Sequence, residues 1–178
     1  MDQRDNSIWL DAADSWLQSV DQDIAAVTPQ NLSGLGDAEQ FVLSNIRLWW
    51  HADSACVRVL VRNGFTAAGL SFSHHTCFTQ FLGVLSAAAQ PLPMIHLAPQ
   101  SDVSSDEARM LGIVALCQQG HNGHAIMVLK RWLPPKAFRV SLKNIVAFAA
   151  ALAAEGLLLP QRIDVRTRSR SGPRLLVH

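Results

Sequence analysis

Apolar residues recur at three- and four-residue spacing through most of this chain. That period predicts helices joined by short polar links. In the first such stretch Trp9, Ala13, Trp16, Val20, Ile24 and Val27 share one face, with Asp11, Asp14, Gln18, Asp21 and Gln22 between them. Asn6 or Ser7 can cap its start, and Thr28-Pro29 ends it, because a residue before proline is pushed out of the α region. A second helix is expected from Asp37, with Glu39 and Gln40 in its first turn. It runs through Val42, Ile46, Trp49, Trp50, Cys56, Val59 and Leu60 to a stop at Asn63-Gly64. Residues 65–72 read as a short helix or helical turn. Ser73 is then the expected cap of a third long helix, with Phe78, Phe81, Leu82, Leu85 and Ala89 inward, broken by Pro91 and Pro93.

The second half repeats the pattern. Met94–Ala98 reads as an extended connection, since no other strand signal exists to pair with it. Ser104 or Ser105 caps a helix with Asp106 and Glu107 in its first turn and Met110, Ile113, Val114 and Cys117 on its apolar face; Gly120 ends it. A further helix is expected from Asn122 to Leu133, ending before Pro134-Pro135. Ser141 is the expected cap of the last, which turns Leu142, Ile145, Val146, Phe148, Ala149 and Leu152 inward and ends at Gly156. The fold class is all-α: about six helices in a bundle or orthogonal array over residues 1–160. From Gln161 to His178 the composition changes to a basic tail, with arginines at 162, 166, 168, 170 and 174 and a terminal Leu175-Leu176-Val177.

The stretch SSDEARMLGIVALCQQGHNGHAIMVLKRWLPP, followed by AFAAALAAEGLLLP, resembles a group of helical alphaproteobacterial proteins. These share a D-E-A-x-x-L helix, a short turn, a second helix with a leucine- and proline-rich stop, and an alanine-rich last helix. The resemblance implies a bacterial helical protein and no particular activity. Members of the group carry cysteines just before the D-E-A helix. Here that stretch is Ile95-His96-Leu97-Ala98-Pro99-Gln100, without cysteine, so a shared cysteine-based metal role is not implied.

Composition narrows the function classes. Of 178 residues 49% are apolar and 16% charged, enough apolar material for a sizeable core. A net charge of +1 gives no global attraction to nucleic acid or anionic lipid. The arginines of the tail lack the interleaved aromatics that stack on bases, so nucleic-acid contact is disfavoured. No apolar run reads as a membrane span, and the N-terminus MDQRDNSIW lacks the pattern of a signal peptide. With three scattered cysteines and no CxxC, the expectation is a cytoplasmic protein with reduced thiols.

Three clusters could carry chemistry. Cys117-Gln-Gln-Gly-His-Asn-Gly-His124 offers three ligands of the kind that hold a zinc with one open position. Against this, Gly120 and Gly123 make the stretch a turn, Asn122 can cap the next helix, and Cys117 lies on an apolar face. His74, His75 and Cys77 begin a helix, where the dipole disfavours charged rings and leaves them able to ligate or simply to cap and pack. Trp49-Trp50 places two indoles about 100° apart on a helix, so that one can be buried and the other form a contact surface. The motifs of serine hydrolases, P-loops, dinucleotide folds and zinc proteases are absent, and Asp106 and Glu107 are accounted for by helix capping.

The expected function is therefore a non-enzymatic, cytoplasmic adaptor or regulatory subunit with no cofactor. It would bind a protein partner or itself through Trp49, Trp50 and the tail arginines Arg166, Arg168 and Arg170. The alternative is a metal- or cofactor-binding helical protein using His74, His75, Cys77, Cys117, His121 and His124.

Overall fold

The computed structural model describes residues 31–52 and 54–160. The helix expected at 7–28 and the tail 161–178, with Arg166, Arg168 and Arg170, lie outside the described residues. Within them are six α-helices: α1 (Asp37–Trp50), α2 (Ala55–Ala67), α3 (Phe72–Ala88), α4 (Ser105–Gln118), α5 (Asn122–Leu129) and α6 (Pro135–Ala154). A 3-10 turn, Leu32–Gly34, precedes α1, and the one extended pairing among the described residues is an isolated bridge between Asn31 and Asp102. The all-α class is correct, although one expected helix divides into two.

The expected helix from Asp37 to Leu60 breaks after Trp50. His51 leaves the helical path and its Nε2 meets the Ile95 carbonyl at 3.0 Å; Ser54 then caps α2 by accepting from Val57 N–H. Asn63-Gly64 does not stop that helix. Gly64 lies inside α2, where an added Cβ would stand 3.5 Å from Asn45 Oδ1 of α1, so this glycine serves the close crossing of two helices. The true stop is Gly69, at φ +78. A side chain there would be strained and would also meet the Glu155 carboxylate at 2.7 Å. Residues 65–67 accordingly complete α2, and α3 is capped by Ser71 rather than Ser73.

The later boundaries shift for similar reasons. Ser104 is the α4 cap, in a full capping box with Glu107. Helix α5 ends at Leu129; residues 130–132 continue as a turn that buries Trp132, whose carbonyl accepts from Gln90 N–H at 2.8 Å. Helix α6 begins at Pro135, not Ser141. Proline at the first helical position sacrifices an N–H that has no helical partner anyway, and Ser141 is wholly buried inside the helix. By length and composition alone α6 is long and apolar enough to cross a membrane, which the sequence reading did not anticipate. Its Ile145, Phe148, Ala149 and Leu152 are buried among the other helices.

Helix α6 packs most extensively on α3, then on α4, with α5 and α1 closing the core and α2 lying over α1 and α3. Phe65 of α2 is surrounded by Phe41 of α1, Phe78 of α3 and Phe148 of α6, at ring-centroid distances of 5.7, 5.1 and 5.7 Å. The inner faces read from periodicity on α3 and α4 are buried as expected.

One buried ion pair ties the array together. Arg47 of α1 and Glu107 of α4 are almost inaccessible; Nε donates to Oε1 at 2.7 Å and Nη2 to Oε2 at 2.9 Å. The same guanidinium donates to the carbonyls of Gln100 and Asp102, and the same carboxylate accepts from the backbone N–H of His96 and Ser104. The extended segment between α3 and α4 is thereby clamped to both helices.

Breaking a buried pair leaves an uncompensated charge, so Arg47→Met should lower stability by about 3–5 kcal/mol. The double variant Arg47→Met/Glu107→Met should recover only part of this, because four backbone groups also lose their partners. Leu85→Ala and Ile145→Ala should each cost about 2–5 kcal/mol. Urea unfolding of each variant measures these losses; a near-neutral Arg47→Met would show the pair to be dispensable.

Candidate functional site

The metal candidates do not assemble. Among the described residues no group of three or more His, Cys, Asp or Glu side chains is placed to hold a metal ion. Cys117 is buried on the apolar face of α4, and burial pushes its thiol up to about 12, which opposes the thiolate a metal would need. Gly120, at φ +75, lets His121 N–H reach back to the Leu116 carbonyl at 2.8 Å and closes α4. His121, not Asn122, is the α5 cap position, and no side-chain cap forms there. The two rings are half-buried rather than freely solvated, and they meet edge to face at 5.8 Å. Burial and the neighbouring His121 hold His124 below the usual histidine range.

The second histidine cluster serves the start of α3. His74 Nδ1 accepts from Ser71 N–H at 3.3 Å, so the ring caps the helix. His75 packs edge-on to Phe65 at 5.3 Å and stacks with Phe72 at 6.0 Å. Burial, and then the charge of Arg62, lower its pKa. Cys77 is half-buried against the core.

The tryptophan pair is more symmetrical than expected. Trp49 and Trp50 are both half-buried, lie 6.1 Å apart, and pack against the core, so neither stands out as a free contact surface.

The exposed apolar surface lies one helix further on. Helix α2 buries only Val61 and Phe65. On its outward side Cys56, Val59 and Leu60, at positions i, i+3 and i+4, form one exposed stripe, with Val59 and Leu60 retaining 43% and 59% exposure. The exposed Arg58 and Arg62 flank it, and α2 itself carries no carboxylate. Phe72, 70% exposed, stacks on His75 at the start of α3. Sequence reading missed this face because it assigned Cys56, Val59 and Leu60 to the inner side of a single long helix. The usable signal was Ser54, a capping residue in the middle of that supposed helix.

Two other surfaces offer less. A groove of about 520 Å³ between α3 and α6 is lined by Gln80, Gly83, Val84, Ala87, Val140 and Asn144, none of them titratable. Leu92, Met94 and Leu97 form an exposed apolar row on the clamped segment, close to Asp102 and to Asp106, whose carboxylate accepts from Met94 N–H. Comparison of the chain with protein-family models, curated proteins and solved structures finds no match.

The lowered pKa values of His75 and His124 make stability depend on pH in a defined sense. A histidine depressed in the fold contributes stability that is present above its unfolded pKa, near 6.5, and is lost as pH falls below that value. Melting temperature should therefore fall between neutral pH and mildly acid pH, and His75→Gln/His124→Gln should flatten that slope. Cys117 acts at the other end, since its raised pKa makes stability fall as pH rises above 9.0. Cys117 should also resist alkylation at neutral pH until the protein unfolds; rapid labelling of the native chain would contradict its burial.

Proposed function

We propose that this chain is a non-enzymatic helical adaptor or regulatory subunit that binds another protein through the outward face of α2. The observation that carries this reading is the stripe of Cys56, Val59 and Leu60, apolar, exposed and flanked by arginines. Contiguous exposed apolar groups rimmed by polar ones mark interaction surfaces. A single helix face with anchors at i, i+3 and i+4 suits an amphipathic partner segment, and Arg58 and Arg62 favour one with carboxylates beside its apolar stripe. The tryptophan pair thus yields its expected role to the neighbouring helix. A cytoplasmic location belongs to the same proposal, supported by free cysteines at 56, 77 and 117, which suit a reducing compartment.

Burying one leucine side chain is worth about 1.5–3 kcal/mol. Val59→Asp/Leu60→Asp should therefore weaken partner capture at least about tenfold. Both positions are exposed, so the helical circular dichroism and melting temperature should stay near those of the parent. Quantitative crosslinking in the native host compares the two chains. Equal recovery of partners by both would remove α2 as the binding face.

A further inference from the structure

The groove between α3 and α6 is separate from the α2 face and has a chemistry of its own. We infer that it is a binding site for a small neutral amphiphile, a short apolar chain with an uncharged hydrogen-bonding head held by the Asn144 carboxamide.

The walls define the apolar part. Gln80, Gly83, Val84 and Ala87 recur at i, i+3, i+4 and i+7 on one face of α3, and Val140 and Asn144 line the other side from α6. The space between them, about 520 Å³, lies within the range of small-molecule sites. The α3 wall from Gln80 to Ala87 is about 10 Å long at the helical rise, which suits a short hydrocarbon chain.

Gly83 is the unusual member of this lining. Glycine inside a helix is less stable than alanine, and Gly64 has the compensating reason that two helices cross there. Gly83 has no such reason. A Cβ built on it meets nothing within 4 Å beyond its own stretch of backbone, and its φ is not positive. The effect of the glycine is to keep the groove open at that point.

The polar part comes from α6. Asn144 is 7% exposed and lines the groove, and its carboxamide makes no hydrogen bond with any described residue. Ser141, one turn earlier on the same side, is wholly buried, and its Oγ is likewise unpartnered among the described residues. Buried polar side chains are nearly always paired. Two orphans a turn apart therefore place unmet hydrogen-bonding capacity beside an apolar groove. The lining also selects the head group. None of these residues is titratable, so a carboxylate or ammonium would give up water and find no counter-charge. A carboxamide presents N–H donors and a carbonyl acceptor, which match a neutral amide.

Octanamide is the probe, titrated into the isotope-labelled full chain and followed by nuclear magnetic resonance at the Gly83 backbone amide and the Asn144 side-chain amide. Both signals should shift saturably, and octanoate and octylammonium should bind at least about tenfold more weakly. Gly83→Leu should abolish the shift at Asn144 without lowering the melting temperature, since leucine is the better helix former. Asn144→Leu should weaken octanamide at least about tenfold, read at Gly83. It should leave the melting temperature unchanged or higher, because an orphaned amide gives way to an apolar group of similar shape. Absence of a saturable shift at either signal, shifts that survive Gly83→Leu, or equal binding by Asn144→Leu overturns the site. Should Asn144→Leu fail to fold, Gly83→Leu and the comparison of neutral with charged heads decide the matter.

Discussion

The pairing of Arg47 with Glu107 joins α1, α4 and the extended segment between α3 and α4. A charged pair taken out of water recovers its desolvation cost only when geometry is good and the remaining donors and acceptors are used. Both conditions hold. The guanidinium makes a bidentate bond to the carboxylate and spends further N–H groups on the Gln100 and Asp102 carbonyls. The carboxylate accepts from His96 and Ser104 N–H besides. A segment without regular structure cannot satisfy its own backbone, and here two charged side chains do so for it. Ser104 Oγ adds a bond to the Met94 carbonyl, so the α4 cap and the clamped segment are one hydrogen-bonded unit. Gln118 plays a similar part at the far end of α4, bonding Leu157 O and Leu159 N–H after α6 has ended.

Against that clamped core, α2 is held lightly. Its anchor is Phe65, set among the rings of α1, α3 and α6, with Val61 one turn before it. The rest of the helix presents Cys56, Val59, Leu60 and two arginines outward. Elements with few buried contacts open at lower free energy than the core they lie on.

The histidines that drew attention as ligands each make a structural contact. His74 caps α3, His75 fills the space between Phe65 and Phe72, and His121 and His124 pack on one another at the α4–α5 turn. Burial is the larger cause that depresses His75 and His124, and a neighbouring charge, Arg62 and His121 respectively, adds to it.

What the sequence by itself determined was whatever lies within a turn or two of its cause. The helical class, the start of α4 at Ser104 or Ser105 with acids in its first turn, the stops at Gly120 and Gly156, and the inner faces of α3 and α4 were all legible from spacing and capping chemistry. Local signals were also misread where two of them competed. Ser54 lost to an unbroken apolar period, Pro135 was taken as an end when it is a beginning, and Asn63-Gly64 was taken as a stop when Gly64 is a crossing point. The tertiary structure alone decided the rest. Glu107 looks like a capping residue until α1 brings Arg47 to it from 60 positions away. The stripe on α2 looks like core until Phe65 and Val61 are seen to hold the inward side. Periodicity says that a helix has an apolar face; which apolar face is covered depends on the elements that arrive from elsewhere in the chain, and no local rule contains that information.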